Sequence, residues 1–289
     1  MPLIERLAVI GTGLIGGSFA LALKQAGQVG TVVGAGRSRD NLHAAQARGI
    51  LDEIAADAAH AVQGADFVLL AVPVGQMAGV MQAIASGLAP EVVITDVGST
   101  KQDVAEQAQA HLAANASRFV PGHPIAGAES SGAGAARPDL FSGKNVVLTP
   151  LPDTNCRALV KTQLAWQACG AKVSIMQAAQ HDRIFAAVSH LPHLLAFTLV
   201  DMLAGRPDAE LLFNYAASGF RDFTRIAASS PEMWRDIALA NRHALLAELD
   251  AYEARIDELK AALRGADGDA LNTLFSRARE ARAAWSKKQ

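Results

Sequence analysis

The chain has 289 residues, 51% of them hydrophobic, and carries 26 Lys and Arg against 28 Asp and Glu for a net charge of −2. A length near twice ~150 residues suggests two domains, and this composition supports a well-buried core and excludes wholesale disorder. No basic block precedes Lys287 and Lys288, which argues against a dedicated nucleic-acid binder and leaves an anionic substrate to be met by locally placed cations.

The opening MPLIERLAVIG runs almost directly into a strand pattern, without the charged and apolar regions of a secretory signal. No apolar run approaches the roughly 18 residues of a membrane span, so the expected setting is the cytoplasm, with no membrane partner. RLAVIG (6–11) is a buried-strand run, and GGSFALALKQAG (16–27) is a helix closed by Gly27. TVVGAG (31–36) is a second strand, and RDNLHAAQARG (39–49) has helical spacing with another glycine stop. ADFVLLAVP (65–73) and EVVITDVG (91–98) are further continuous apolar strands, with RFVPGHP (118–124) and KNVVLTP (144–150) as shorter ones. Strands that are apolar throughout and separated by helices indicate a parallel sheet covered on both faces. Right-handed connections then give a doubly wound α/β sheet of the Rossmann type.

After about residue 177 the strand signal stops. Residues 178–205 form one long helical pattern, adjusted near Pro192, and 231–265 form another, with Pro231 at an early helix position. Residues 267–288 close the chain as a third helix. The predicted organisation is a dinucleotide-binding domain over 1–176 and an all-helical domain over 177–289. Its Ala and Leu stripes suit a partner subunit and an intramolecular core equally. The two cysteines, Cys156 and Cys169, form neither a CxxC pair nor a metal-ligand spacing; they fit a reducing compartment and read as buried apolar residues.

GTGLIGGS carries Gly11, Gly13 and Gly16 in G-x-G-x-x-G spacing, after a predicted strand and at the start of a predicted helix. Gly11 permits the tight turn, Gly13 lets the backbone approach a pyrophosphate, and Gly16 lets helix and strand pack closely. Leu14 and Ile15 complete that turn. A tight turn without a ligand would share the pattern, but the strand and helix around it favour a dinucleotide. The acid that usually binds the ribose 2′-hydroxyl of NAD is missing at the end of the second strand, where Gly36 is followed by Arg37, Ser38 and Arg39. A small residue followed by Arg and Ser suits the extra phosphate of NADP, so NADP is favoured over NAD. Arg37 also fits a solvated loop cation, and Asp40 lies close by.

DVGSTK ends a strand with Asp96, Ser99 and Lys101, and His123 follows the short strand RFV. Ligands of open α/β sheets lie at the carboxyl ends of the strands, so Ser99 and His123 are candidates for one cleft. A neutral imidazole is suited to accept a proton near pH 7. SHLPH sets His190 and His193 three apart on one helical face; no third ligand has an evident spacing, so a structural or substrate-binding role is favoured over a metal. Arg221, Asp222, Arg225 and Trp234 follow in a short span. Arginine is built for bidentate carboxylate binding, although Arg221 and Asp222 equally suit an ordinary surface pair.

Taken in order, GTGLIGGS, DVGSTK, GHPIAGAESSG, SHLPH and GFRDFTRIAASSPEMWRDI resemble the prephenate and arogenate dehydrogenases of tyrosine biosynthesis, over roughly residues 6–240. The later motifs are far more specific than the glycine turn. The resemblance implies a stand-alone enzyme, including the broad-specificity cyclohexadienyl type, with a Rossmann-type domain joined to a helical dimerisation domain, hence a homodimer. It implies that His123 contacts the ring 4-hydroxyl and assists its deprotonation, with Ser99 beside it. It further implies that Arg225 binds the ring carboxylate, that His193 lines the substrate site, and that Glu129 and Trp234 lie near the entrance. The family's common glycine-rich run before GF reads AASGF here, with only Gly219, which leaves the choice between prephenate and arogenate open. A β-hydroxyacid dehydrogenase would instead use a helical-domain lysine, and residues 178–205 contain none. A nucleotide- or tyrosine-sensing regulator on the same fold is the non-catalytic alternative.

Overall fold

The computed structural model describes residues 1–127 and 130–287. Six parallel strands, β1 (Ile4–Ile10), β2 (Val29–Ala35), β3 (Glu53–Ile54), β4 (Phe67–Leu70), β5 (Val93–Asp96) and β6 (Phe119–Val120), form a sheet in the order β3-β2-β1-β4-β5-β6. The order runs outward from β1 in both directions, so the topological switch lies between β1 and β4, where ligands of such sheets bind.

The apolar runs within these strands follow from burial on both faces. Alternate side chains point to opposite sides: Leu7, Val9, Phe67 and Leu69 join one core, and Ala8, Ile10, Val68 and Leu70 join the other. Helices α1 (Leu14–Gln25), α2 (Arg39–Ala47), α3 (Ala58–Ala61), α4 (Met77–Ile84), α5 (Gln102–His111) and α6 (Cys156–Ala168) cover the sheet. On the first face Phe19 of α1 packs edge-on against Trp166 of α6 at 4.7 Å between ring centres. Full burial of each such side chain is worth about 1.5–3 kcal/mol. On the second face Met77, Met81 and Val104 meet Trp234 and Ile237. Cys169 is buried, with its thiol pKa pushed up by desolvation. Cys156, by contrast, is exposed at the first position of α6, because that end of the helix lies outside the core.

RFVPGHP is not one strand. β6 ends at Val120, and after Pro121 the chain enters a second sheet of β7 (Gly122–Pro124), β8 (Asn145–Leu148) and β9 (Lys172–Ile175), with β7 antiparallel and β9 parallel to β8. Pro121 has no N–H to continue the first ladder, and its carbonyl accepts from Thr149 N at 2.9 Å. The change of sheet carries His123 out of β6's ladder.

The helical part comprises α7 (Ala178–Phe185), a π turn (Ala186–His190), α8 (Leu191–Ala204), α9 (Ala209–Asn214), α10 (Ser218–Thr224), α11 (Pro231–Ala240), α12 (Arg242–Arg264) and α13 (Gly268–Ser286). The widened turn comes just before Pro192, which cannot close an ordinary i−4 bond. The stretch 231–265, expected as one helix, is two, because Asn241 leaves helical geometry to bond inward. Compactness divides the chain into two units, Met1–Arg242 and His243–Gln289. Among the described residues one helix, Ala178–Ala204, is long and apolar enough to cross a membrane by length and composition. Its isolated polar residues interrupt any strictly apolar run, whereas its average hydropathy stays high. His181, Asp182 and His190 on that helix are buried inside the first unit.

Candidate active site

The turn after β1 has the geometry a dinucleotide needs. Gly11 adopts φ +99°, and a Cβ there would fall on the Ala71 carbonyl oxygen. A Cβ on Gly16 would fall on the Gly11 carbonyl oxygen, so helix and turn touch through backbone alone. Nothing lies within 4 Å of a Cβ built on Gly13, which is the N-cap of α1 and offers no side-chain cap. The helix start therefore keeps free N–H groups and its positive dipole end for an anion. Leu14 and Ile15 open α1 and pack against the core. Gly11→Ala should cost about 1–3 kcal/mol of backbone strain and weaken dinucleotide binding roughly tenfold or more. Titration of tryptophan fluorescence with cofactor reads this, and unchanged affinity in a folded variant would contradict it.

At the end of β2, Arg37 is exposed and lies 3.9 Å from the Glu232 carboxylate. The Ser38 hydroxyl caps α2, accepting from Asn41 N at 3.2 Å. Arg39 donates to the carbonyls of Ala55 and Ala56 at 3.4 and 3.2 Å. Asn41 in turn donates to the carbonyl and hydroxyl of Thr12 at 3.0 and 3.1 Å and accepts from Ala133 N at 2.8 Å. This one carboxamide therefore joins the glycine turn to the loop beyond β7.

His123 is held from behind by a buried ion pair. Asp96, the last residue of β5, pairs with Lys101, and both side chains are fully buried. Asp96 Oδ1 accepts from Gly122 N at 3.0 Å, its Oδ2 accepts from Gly98 N at 2.7 Å, and Lys101 Nζ donates to the Gly122 carbonyl at 2.7 Å. Both polar groups of Gly122 are thereby fixed, one residue before the imidazole. Ser99 is half-buried in the same turn after β5.

Two further groups meet His123, His181 and Phe185, and neither is singled out from the sequence. His123 Nδ1 lies 2.8 Å from His181 Nε2, and His181 Nδ1 lies 2.8 Å from Asp182 Oδ1. Asp182 also accepts from the backbone N–H groups of Lys101 and Gln102 at 2.8 and 2.9 Å, and so caps α5 from a distant helix. The Phe185 ring packs on both imidazoles, 4.8 and 4.4 Å between centres. Asn241 donates to the Asp182 carbonyl at 2.8 Å and lies 3.0 Å from His190 Nδ1. The adjacent polar pair His181-Asp182, on the same helix as SHLPH, was the available signal.

Burial, then the neighbouring His181, Lys101 and His190, hold the His123 pKa well below the ordinary histidine value. Burial likewise lowers His181, against the opposing pull of Asp182, and takes His190 down to about 4. Burial alone would raise the Asp182 carboxyl, but hydrogen bonds from His181, Gln102 and Lys101 outweigh it and hold the group below its usual value. The site at rest is a neutral pair of imidazoles ending in a carboxylate.

His193 stacks on Trp234 at 3.7 Å and 21°. Its Nδ1 donates to the Ser189 carbonyl at 2.8 Å, which leaves Nε2 as an acceptor. Burial lowers its pKa, and the nearby charge of Arg225 lowers it further against the opposing Ser189 carbonyl. Arg225 lines an open hollow with Phe213, Phe220 and Arg221. Trp234 is buried, and its indole N–H meets no hydrogen-bond partner among the described residues. Glu129 lies outside the described residues. Among the described residues no group of three or more His, Cys, Asp or Glu could hold a metal ion.

A family model described as the nucleotide-binding domain of prephenate dehydrogenase matches residues 19–175, and one described as its dimerization domain matches 177–277. The chain belongs to the prephenate dehydrogenase family. Prephenate dehydrogenases of this family include relatives similar over nearly the whole chain. The cyclohexadienyl dehydrogenase of Zymomonas mobilis is 38% identical over 98% of this chain and 97% of its own. The prephenate dehydrogenase of A. aeolicus, solved in complex with hydroxyphenyl propionate and NAD+, is 34% identical, with a TM-score of 0.89 over 97% of this chain and 98% of that one. The Synechocystis arogenate dehydrogenase is 30% identical, with a TM-score of 0.81 over 97% of this chain and all of that one (100%). The nucleotide-binding match begins inside α1, so the role of the glycine turn before it stands on its own geometry.

Proposed function

We propose that this member of the prephenate dehydrogenase family carries out the oxidative decarboxylation of prephenate to 4-hydroxyphenylpyruvate, of arogenate to tyrosine, or of both. The observation that carries the reading is His123, fixed through Gly122 by a buried ion pair and kept neutral. A bound nicotinamide dinucleotide supplies the hydride acceptor. His123 takes the proton of the ring 4-hydroxyl as the ring carbon is oxidised, leaving a cyclohexadienone. Loss of the ring carboxylate as carbon dioxide aromatises the ring, and His123 can return its proton to the phenolate oxygen. Aromatisation drives the reaction, so the protein chiefly supplies position and one proton acceptor. Ser99, in the turn after β5, assists at the hydroxyl. Arg225 takes the ring carboxylate, His193 and Trp234 line the pocket, and Glu129 lies near its entrance.

The cofactor reading is NADP+ in preference to NAD+, supported by Gly36 in place of an acid and by the exposed Arg37. Ser38 and Arg39 are held by closer hydrogen bonds within the protein, whereas Arg37 is 74% exposed and its pairing with Glu232 is long at 3.9 Å, so Arg37 is the residue that would turn to a 2′-phosphate. Residues 1–176 bind the cofactor and 177–289 assemble a homodimer. Exposed Val188, Met202, Leu211 and Phe213 support that assembly; they present apolar surface that a second subunit would cover, and the protein works in the cytoplasm.

A four-way steady-state assay tests the whole reading. Prephenate or arogenate is given with NAD+ or NADP+, and reduced nicotinamide is followed by absorbance. Turnover with NADP+ above NAD+ is expected. Preference for NAD+ would overturn the reading of Gly36 and Arg37 alone, whereas silence in all four combinations with cofactor still bound would sink the dehydrogenase.

A further inference from the structure

We infer that His181 and Asp182 are positioning residues that set the tautomer of His123, so that its Nε2 is the proton acceptor; this rests on His123 being the base proposed above. Asp182 has every contact of an acceptor: its Oδ1 meets His181 Nδ1 and Lys101 N, and its Oδ2 meets Gln102 N. A carboxylate can only accept, so the proton between Asp182 and His181 belongs to His181 Nδ1. A neutral His181 then has a bare lone pair on Nε2. That atom lies 2.8 Å from His123 Nδ1, so His123 Nδ1 must carry the N–H and donate. The remaining nitrogen of a neutral His123 is left with a lone pair. The chain of two hydrogen bonds thus fixes which nitrogen is basic, starting from a charge that reaches His123 only through His181.

The same chain serves the protonated state. When the hydroxyl O–H breaks and the His123 Nε2–H forms, Nδ1–H stays in place and still donates to His181. The new positive charge faces the Asp182 carboxylate through one neutral imidazole. His181 is fully buried and Asp182 is 5% exposed, and Phe185 covers both rings, so water competes little for these bonds. A purely structural role would need only the cap that Asp182 places on α5. It would not require a second imidazole, using both nitrogens, between that cap and the base. The charged or titratable groups facing this chain are Asp96 on β5, Lys101 at the start of α5, Asp103 in the first turn of α5, and His190 on the π turn.

The tautomer is read directly by nitrogen NMR of the full-length protein labelled at histidine, with His123→Asn assigning the signals. Expected are a pyrrole-like Nδ1 and a pyridine-like Nε2 for His123, and a reversed pattern in Asp182→Asn, whose amide can present an N–H toward His181. His181→Phe should lower kcat roughly tenfold to a hundredfold, part of the 10²–10⁴-fold that a positioned base is worth, with cofactor affinity unchanged. His181→Gln, which can still offer an oxygen to His123 Nδ1–H, should recover part of that loss. A wild-type His123 protonated at Nε2 would overturn the inference, as would a His181→Phe enzyme with the wild-type kcat and pH profile. Should the protein turn over no cyclohexadienyl substrate, the proposed reaction fails, while the NMR pattern still decides the tautomer.

Discussion

His123→Asn should lose on the order of 10²–10⁴-fold in kcat, the contribution of a positioned general base, while binding cofactor as tightly as the parent. The two effects separate because the cofactor turn and the histidine stand on different supports. Gly11, Gly13 and Gly16 belong to the β1–α1 turn, whereas His123 sits on β7 and is fixed through Gly122 by Asp96 and Lys101. Asparagine is close in size and can still hydrogen-bond to His181, so the change removes the base with little effect on packing. Near-normal turnover in this variant would take His123 out of the mechanism. The pH profile of the parent enzyme gives an independent reading. Burial first, then His181, Lys101 and His190, depress the His123 pKa well below the ordinary value of 6.5. The base form is the active one, so kcat/KM should fall only as pH drops through that depressed value, and the plateau should extend below pH 6.5. A limb centred at or above 6.5 would show that a different group is titrating.

The doubly wound sheet was legible because its signal is local. Runs such as Val68–Leu70 and Val93–Ile94 are apolar at every position, and the two core faces that take their alternate side chains account for it. The break in RFVPGHP was also within reach, since Pro121 has no N–H to give to a strand ladder. The end of α11 at Asn241 was not, because no glycine or proline stands there. It follows from tertiary bonds to the Asp182 carbonyl and to His190, which no window around Asn241 contains. His181 and Asp182 escaped notice for a similar reason. An adjacent His-Asp pair on a helix resembles a solvated face until a partner is placed opposite it. Here the partners are His123 and the start of α5, which has no side-chain cap of its own at Lys101. That missing local cap was a second hint, beside the His-Asp pair itself, that a distant acceptor must supply it. His123, by contrast, was marked by the Gly and Pro on either side of it, and Arg225 and His193 by motifs. Their proximity to each other is felt in the lowered pKa of His193.

The largest expected effect on stability lies at Asp96 and Lys101. Both side chains are fully buried, and breaking such a pair from one side leaves a charge that neither water nor a partner compensates. Lys101→Met and Asp96→Asn should each cost about 3–5 kcal/mol, read as a lower denaturant midpoint in urea. The sign follows from desolvation: pairing offsets the cost of burying each ion, and a lone ion keeps the cost without the offset. The combined variant, Asp96→Asn with Lys101→Met, should be less destabilised than the sum of the two, because the surviving charge has gone as well. Asparagine at 96 keeps an oxygen that can accept from Gly122 N or Gly98 N, but not both on separate oxygens as the carboxylate does. Lys101→Met also removes the donor to the Gly122 carbonyl. The histidine perch should therefore loosen in the combined variant even where the fold recovers, giving a protein that melts closer to the parent yet turns over more slowly. A Lys101→Met protein with the parent's urea midpoint would mean that the pair is not what holds β5 to β7, and simple additivity of the two changes would mean that the charges do not rely on each other.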